Sequence, residues 1–238
     1  MFKYIKLMTQ IFAKKNNQPP LQATGQTSSY VLHVYLARIL LKNIMDGNGI
    51  TIYEHTNGPV IWNPDYVSIT DCSGFINALL KKSYNLPPLW TGVKRPYAST
   101  YYHLINEKRN FIKITNINNA RIGDFIVFRI LPGTTISDNT GHIMLINDIP
   151  NKIITMPPVI GNTVQWAINI IDQSSSHGSV DSRYIDQENK TTGLGTGFFR
   201  IYTNSTGELQ GYAWSISSGS KYIDKAVHPL VIGRLNLL

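Results

Sequence analysis

A single cysteine, Cys72, stands in 238 residues. That excludes an internal disulfide framework and any site built on paired cysteines, such as a CxxC zinc or iron–sulfur motif. Charge is scarce as well: charged residues make up 15% of the chain against 42% hydrophobic. Such a balance excludes a disordered chain and favours a packed domain. Long apolar runs are missing. The most apolar stretch, residues 30–45, carries His33, Arg38 and Lys42, and is too short and too charged to span a membrane. Acidic residues number 14 against 22 basic ones, for a net charge of +8. A basic chain suits anionic partners. The basic residues are scattered, however, with Lys14-Lys15, Lys81-Lys82 and Lys94-Arg95 as the densest pairs. No zinc-finger spacing, RNP-type motif or basic helix goes with them, so nucleic acid is not an expected partner.

Residues 1–26 are expected to be an N-terminal tail or a weak signal-like segment. Lys3 and Lys6 precede an apolar stretch, but Thr9 and Gln10 interrupt it and no A-x-A site follows. Residues 27–238 are expected to form one domain. A largely buried helix should run to about Met45, where Asp46-Gly-Asn-Gly49 ends it. Residues 51–70 are loop-rich, with Gly58-Pro59 and Asn63-Pro64. A second helix is predicted over 71–83, with Asp71 in its first turn and Lys81-Lys82 in its last. A third should cover 98–107. Short β-rich runs follow at 111–115, 125–130, 142–149, 164–171, 197–203, 211–217 and 231–235. Helices first and strands afterwards predict an α+β domain with a mainly antiparallel sheet. Gly193-x-Gly195-x-Gly197 precedes a strand rather than a helix, so it reads as a flexible turn and not as a phosphate loop.

Cys72 lies in Thr70-Asp-Cys-Ser-Gly-Phe75, at the expected start of the second helix. The positive helix end and its free N–H groups favour a thiolate and can hold an oxyanion. On position alone, a small buried hydrophobe is an equal reading. A nucleophilic thiol needs a base, normally an imidazole. Of the six histidines, His142 follows Gly141 at the mouth of a predicted strand. His33, His55, His103 and His228 have no comparable companions and read as structural. Asp124, in a Gly-Asp turn, reads as a structural bond-maker at a strand entry.

Three motifs, Asp71-Cys-Ser-Gly-Phe75, Gly123-Asp-Phe-Ile-Val-Phe128 and Gly141-His-Ile-Met-Leu-Ile146, resemble in order and spacing those of the NlpC/P60 family of papain-like cysteine hydrolases. Met144 stands where the family often has a small or apolar residue. The resemblance implies a papain-like fold, with Cys72 attacking an amide carbonyl and His142 as general base. A third polar residue on the following strand would orient the imidazole. Antiparallel pairing of 142–149 with 164–171 would put Asp172 beside His142, with Gln173 as the runner-up. His177, in a polar loop five residues on, is a further candidate for that role or for substrate contact.

The expected substrate is a peptide or peptidoglycan fragment, with Ser73, Trp62, Tyr66 and His177 as candidate substrate-binding residues. No metal or organic cofactor is implied. The segment 58–66 lacks the glycine pair that the family usually carries before its cysteine, and the residues after Ser174 depart from the wall-peptidase pattern. A secreted effector, an acyltransferase acting on a protein or lipid, and an inactive papain-like binding module remain alternatives. The abundance of Ile, Asn and Lys suggests an AT-rich, bacterial genome, with the protein either cytoplasmic or exported.

Overall fold

The computed structural model describes residues 28–131, 139–186 and 188–237; the expected tail or signal-like segment lies outside them. Three helices are α1 (Ser28–Met45), α2 (Cys72–Tyr84) and α3 (Ala98–Asn106). No helix among the described residues is long and apolar enough to cross a membrane. Interspersed with the helices are β1 (Gly49–Tyr53), β2 (Val60–Ile61) and β3 (Tyr66–Thr70). They form a small sheet in which β1 runs parallel and β2 antiparallel to β3. This sheet corrects the expectation of a loop over 51–70. Its strands are two to five residues long, and β1 alternates between half-buried and exposed positions, so no apolar run marks them.

The remaining strands build the main sheet. They are β4 (Phe111–Ile114), β5 (Phe125–Arg129), β6 (Gly141–Ile146), β7 (Asn151–Lys152), β8 (Val164–Ser174), β9 (Gly193–Thr203), β10 (Leu209–Ala213), β11 (Tyr222–Asp224) and β12 (Leu230–Leu235). The order is β11-β10-β9-β8-β6-β5-β12-β4, with β7 on β8, and every pairing is antiparallel. The architecture is therefore α+β, with three N-terminal helices and a mainly antiparallel sheet.

Period-two alternation divides the buried side chains between the two faces of the sheet. Phe125 and Val127 of β5, with Ile143 and Leu145 of β6, meet Leu40 of α1, Phe75 and Leu79 of α2 and Leu104 of α3. Ile126, Phe128, Met144 and Ile146 point the other way, into a second core with Ile168, Phe199 and Tyr212. The sheet curls around this second core: Tyr212 of β10 stacks on Phe128 of β5 at 4.6 Å, although three strands separate them in the sheet.

Two polar anchors fix the approach to β5, one of them from the helical layer. His33 of α1 is buried, with Nε2 2.8 Å from the Gly123 carbonyl and Nδ1 2.7 Å from the Tyr84 hydroxyl. Burial pushes its pKa down to about 4, which keeps it neutral. Asp124 accepts the Arg121 N–H and two bonds from Arg234 of β12 at 2.8 and 2.9 Å, pinning the turn before β5.

The glycine run is a second correction. Residues 193–197 are the first half of β9, hydrogen-bonded along β8, and not a flexible turn. A side chain at Gly193 would collide with Thr51, at Gly195 with Arg183, and at Gly197 with Asp181. Glycine is present there because two neighbouring segments, β1 and the loop that carries Asp181 and Arg183, press against the strand.

Candidate active site

Cys72 is the first residue of α2, and Asp71 caps that helix. Asp71 Oδ1 accepts the Gly74 N–H at 2.7 Å and the Ser73 hydroxyl at 2.9 Å. Its Oδ2 accepts Arg95 Nη2 at 3.0 Å. A side chain at Gly74 would collide with Thr70 at the end of β3, so glycine lets the helix start sit flush against that strand. The capped first turn directs backbone N–H groups, and the positive end of the helix dipole, toward Cys72.

Opposite this turn, His142 is the second residue of β6. Gly141 before it has φ +124, and any side chain there would collide with the Phe128 carbonyl of β5. That close approach delivers the imidazole at the strand entry. The ring is buried, packs edge-on against Trp214 at 5.1 Å, and lies near enough to Cys72 to interact with its charge. Its Nε2 donates to Asp172 Oδ2 at 2.6 Å. Nδ1 is thereby left for the thiol. Burial alone would depress the His142 pKa, but the charge of Cys72, followed by the bond to Asp172, pushes it up to about 10.

Asp172 lies on β8, one residue beyond the Leu145–Ile171 pair that joins β8 to β6. It has no exposure. Burial would raise its pKa, yet the charges of Arg183 and His177, and the bonds from both histidines, hold the carboxyl well below the usual range. Arg183 Nη2 donates to Asp172 Oδ1 at 2.9 Å and to Asp181 Oδ2 at 2.7 Å, and Nε donates to Asp181 Oδ1 at 2.8 Å.

Cys72, His142 and Asp172, expected together, are thus contiguous. The other expected residues are distributed differently. Ser73 lines the cleft beside Cys72, its hydroxyl engaged by Asp71. Gln173 faces away from His142: its amide donates to the Ile52 carbonyl at 2.8 Å and its carbonyl accepts the Ser68 hydroxyl at 2.8 Å, tying β8 to the small sheet. Trp62 and Tyr66 are not at the cleft. Trp62 is buried, donates from Nε1 to the Leu36 carbonyl of α1 at 2.8 Å, and borders a separate cavity of about 1080 Å³ beside Lys81 and Lys82. Tyr66 packs on the helical core. His177, a candidate for substrate contact, does not line the cleft. It is fully buried behind Asp172, stacked on Trp214 at 4.1 Å. Apolar packing of two aromatic side chains displaced the first expectation, and a loop that turns inward displaced the second.

The cleft at Cys72 encloses about 510 Å³ and is bordered by Tyr53, His55, Arg95, Tyr97, Asn139 and Thr140 among others. Burial, then the charges of Cys72, Asp71 and Asp172, raise the Tyr53 pKa and keep the phenol neutral. Sequence reasoning missed Tyr53 because it ends one of the unexpected short strands. It also missed Arg95, whose pairing with Asp71 spans 24 residues of chain.

His142, Asp172 and His177 offer three potential metal-ligand atoms within 4.8 Å of one another. Both Nε2 atoms, however, stand at hydrogen-bond distance from one carboxylate oxygen, which only accepts. A hydrogen-bonded chain through that oxygen accounts for the arrangement of the three side chains.

No family model matches the chain, and no solved structure matches it. An uncharacterized protein of Acanthamoeba polyphaga mimivirus is 44% identical over 216 residues, covering 84% of this chain and 95% of that protein. The chain belongs to the same family as that mimivirus protein.

Proposed function

We propose that the protein is a cysteine hydrolase of NlpC/P60 type with a papain-like fold, cleaving an amide or isopeptide bond through Cys72, His142 and Asp172. The observation that carries this reading is the 2.6 Å bond from His142 Nε2 to Asp172 Oδ2, made by a ring that feels the charge of the nearby Cys72. A thiol, an imidazole and an orienting carboxylate in series are what nucleophilic acyl chemistry requires. The resemblance of the three sequence motifs points the same way.

In this reading the Cys72 thiolate attacks the carbonyl carbon, and the first-turn N–H groups of α2 receive the oxyanion. The C–N bond breaks as the His142 imidazolium gives its proton to the leaving amine. Water, deprotonated by His142, then attacks the thioester, releasing the carboxylic acid and restoring the thiol. Asp172 holds the imidazole in the tautomer that keeps Nδ1 toward sulfur.

Peptidoglycan stem peptides are the proposed substrate, as the resemblance implies. Kinship with a viral protein favours a second reading, in which the same thioester chemistry acts on an acyl group of a protein or lipid. Incubation with purified peptidoglycan, followed by mass spectrometry of released fragments, tests the first. Fragments released by the native protein and not by Cys72→Ala are expected. Equal release by the variant would exclude Cys72 catalysis, and no release by either would exclude the wall substrate.

A further inference from the structure

We propose that His177 is a positioning residue of the thiol site: a doubly protonated imidazolium, wedged between the Trp214 carbonyl and Asp172, that fixes the carboxylate on His142. Its role rests on the thiol-hydrolase reading; its proton count rests on hydrogen-bond geometry.

His177 Nδ1 lies 2.6 Å from the Trp214 carbonyl oxygen. A carbonyl only accepts, so Nδ1 carries a proton. His177 Nε2 lies 2.9 Å from Asp172 Oδ2. That carboxylate also takes His142 Nε2 on the same oxygen and Arg183 Nη2 on the other. The Arg183 guanidinium beside it keeps this carboxylate ionised, so it can only accept, and His177 Nε2 carries a proton too. Ser174 Oγ, 3.5 Å from Nε2, offers no alternative donor: its proton goes to the Ser175 carbonyl at 2.7 Å, and it accepts from Arg183 Nη1 at 3.0 Å. A neutral ring would set a nitrogen lone pair against an oxygen lone pair at a site with no exposure.

The surroundings are built for a cation. Trp214 stacks face-on at 4.1 Å and 17°, and Phe199 meets the ring edge-on at 6.3 Å. Asp181 Oδ2 accepts the His177 backbone N–H at 2.8 Å. A side chain at Gly197 of β9 would press on Asp181 and on His177 Cβ, so the glycine run makes room for this assembly.

Charge balance gives His177 its function. The charged groups facing it are Asp172 from β8, Asp181 and Arg183 from the loop that follows, and His142 from β6. Asp172 and Asp181 are offset by Arg183 and His177. The positive charge on His142 is then left to be balanced by the Cys72 thiolate. Removing the charge of His177 leaves Asp172 in excess, and the excess satisfies His142 without a thiolate.

His177→Gln keeps an N–H for Asp172 and removes the charge. The readout is the rate of Cys72 alkylation by iodoacetamide against pH, with folding checked by circular dichroism. The acid limb should move to higher pH by about one unit, since both Nε2 atoms lie within hydrogen-bond distance of the same carboxylate oxygen. An unmoved limb in a folded variant overturns the proposal. Imidazole ¹⁵N spectra of the native protein at pH 7 give a readout that needs no variant. Protons on both His177 nitrogens support the proposal, and one bare nitrogen overturns it. Cys72 of the native protein alkylating no faster than a free thiol would remove the thiol-hydrolase reading and with it the positioning role. The two failures are distinct, because the spectra report the proton count independently of that rate.

Discussion

Asp172 stands directly opposite Gly195 in the ladder between β8 and β9, and the missing side chain at Gly195 is what allows Arg183 to reach the carboxylate. The strand pairing places the acid, and the glycine admits the cation that keeps it ionised.

Gly195→Ala therefore has a defined cost. The added methyl meets the Arg183 guanidinium, which cannot retreat without leaving Asp172 or Asp181. Overpacking of this kind costs about 1–3 kcal/mol, and for a chain of this size each kcal/mol lowers the melting temperature by about 2–4 °C. Thermal unfolding checks the first effect. Slower Cys72 alkylation in the folded variant checks the second.

Asp172→Asn separates charge from shape. The amide can keep a bond to His142 but stabilises neither its imidazolium nor its tautomer. Alkylation of Cys72 at pH 7 should slow by about tenfold or more, and His142→Ala should slow it comparably. Intact-mass kinetics with iodoacetamide measure both, and unchanged rates would remove the orienting role of Asp172.

The stability of the fold should depend on pH in a direction set by His142. Its pKa is raised in the folded state to about 10, from an unfolded value near 6.5. A raised pKa means the folded chain holds the proton more tightly. The resulting stabilisation is complete below about pH 6.5 and is lost as pH rises through about 10. Urea midpoints should accordingly fall between pH 7 and pH 10. Because the charge of Cys72 is the largest influence raising this pKa, Cys72→Ala should flatten the decline. Asp172 acts in the opposite sense: its lowered pKa adds stability above about pH 4 that disappears on acidification.

Chelation should change nothing. Since the imidazole nitrogens facing Asp172 donate hydrogen bonds, dialysis against EDTA should leave both the melting temperature and the alkylation rate where they were. A drop in melting temperature that zinc restores would reassign His142, Asp172 and His177 as ligands.

Trp62 gives a control for the cleft. Trp62→Ala removes a buried indole and its bond to Leu36, a loss of about 3–5 kcal/mol. The alkylation rate of the folded fraction should stay unchanged, because Trp62 borders the cavity beside Lys81 and not the one at Cys72.

How much of this was legible in the sequence follows from how local each cause is. The meeting of His142 and Asp172 could be read because two consecutive long strands in an antiparallel ladder fix which ends adjoin. The helix start beside Cys72 could be read to within one residue, although Asp71, expected inside the first turn, is its cap. The burial of His177 could not, since it depends on Trp214, 37 residues away, closing over the ring. The glycines of β9 misled for the same reason. What they make room for, namely Thr51, Asp181 and Arg183, lies on other segments, and glycine by itself signals a turn. The small sheet escaped notice because its strands are short and partly exposed, so alternation had too few residues to show.

The curl of the main sheet sets an order of assembly for the thiol centre. Trp214 follows β10, and it can cover His142 and His177 only once β8, β9 and β10 have joined and bent back toward β5. Until then both imidazoles lie open to solvent, whereas in the completed fold they are buried. On the proposed mechanism, the three groups of the site come together only in the completed fold.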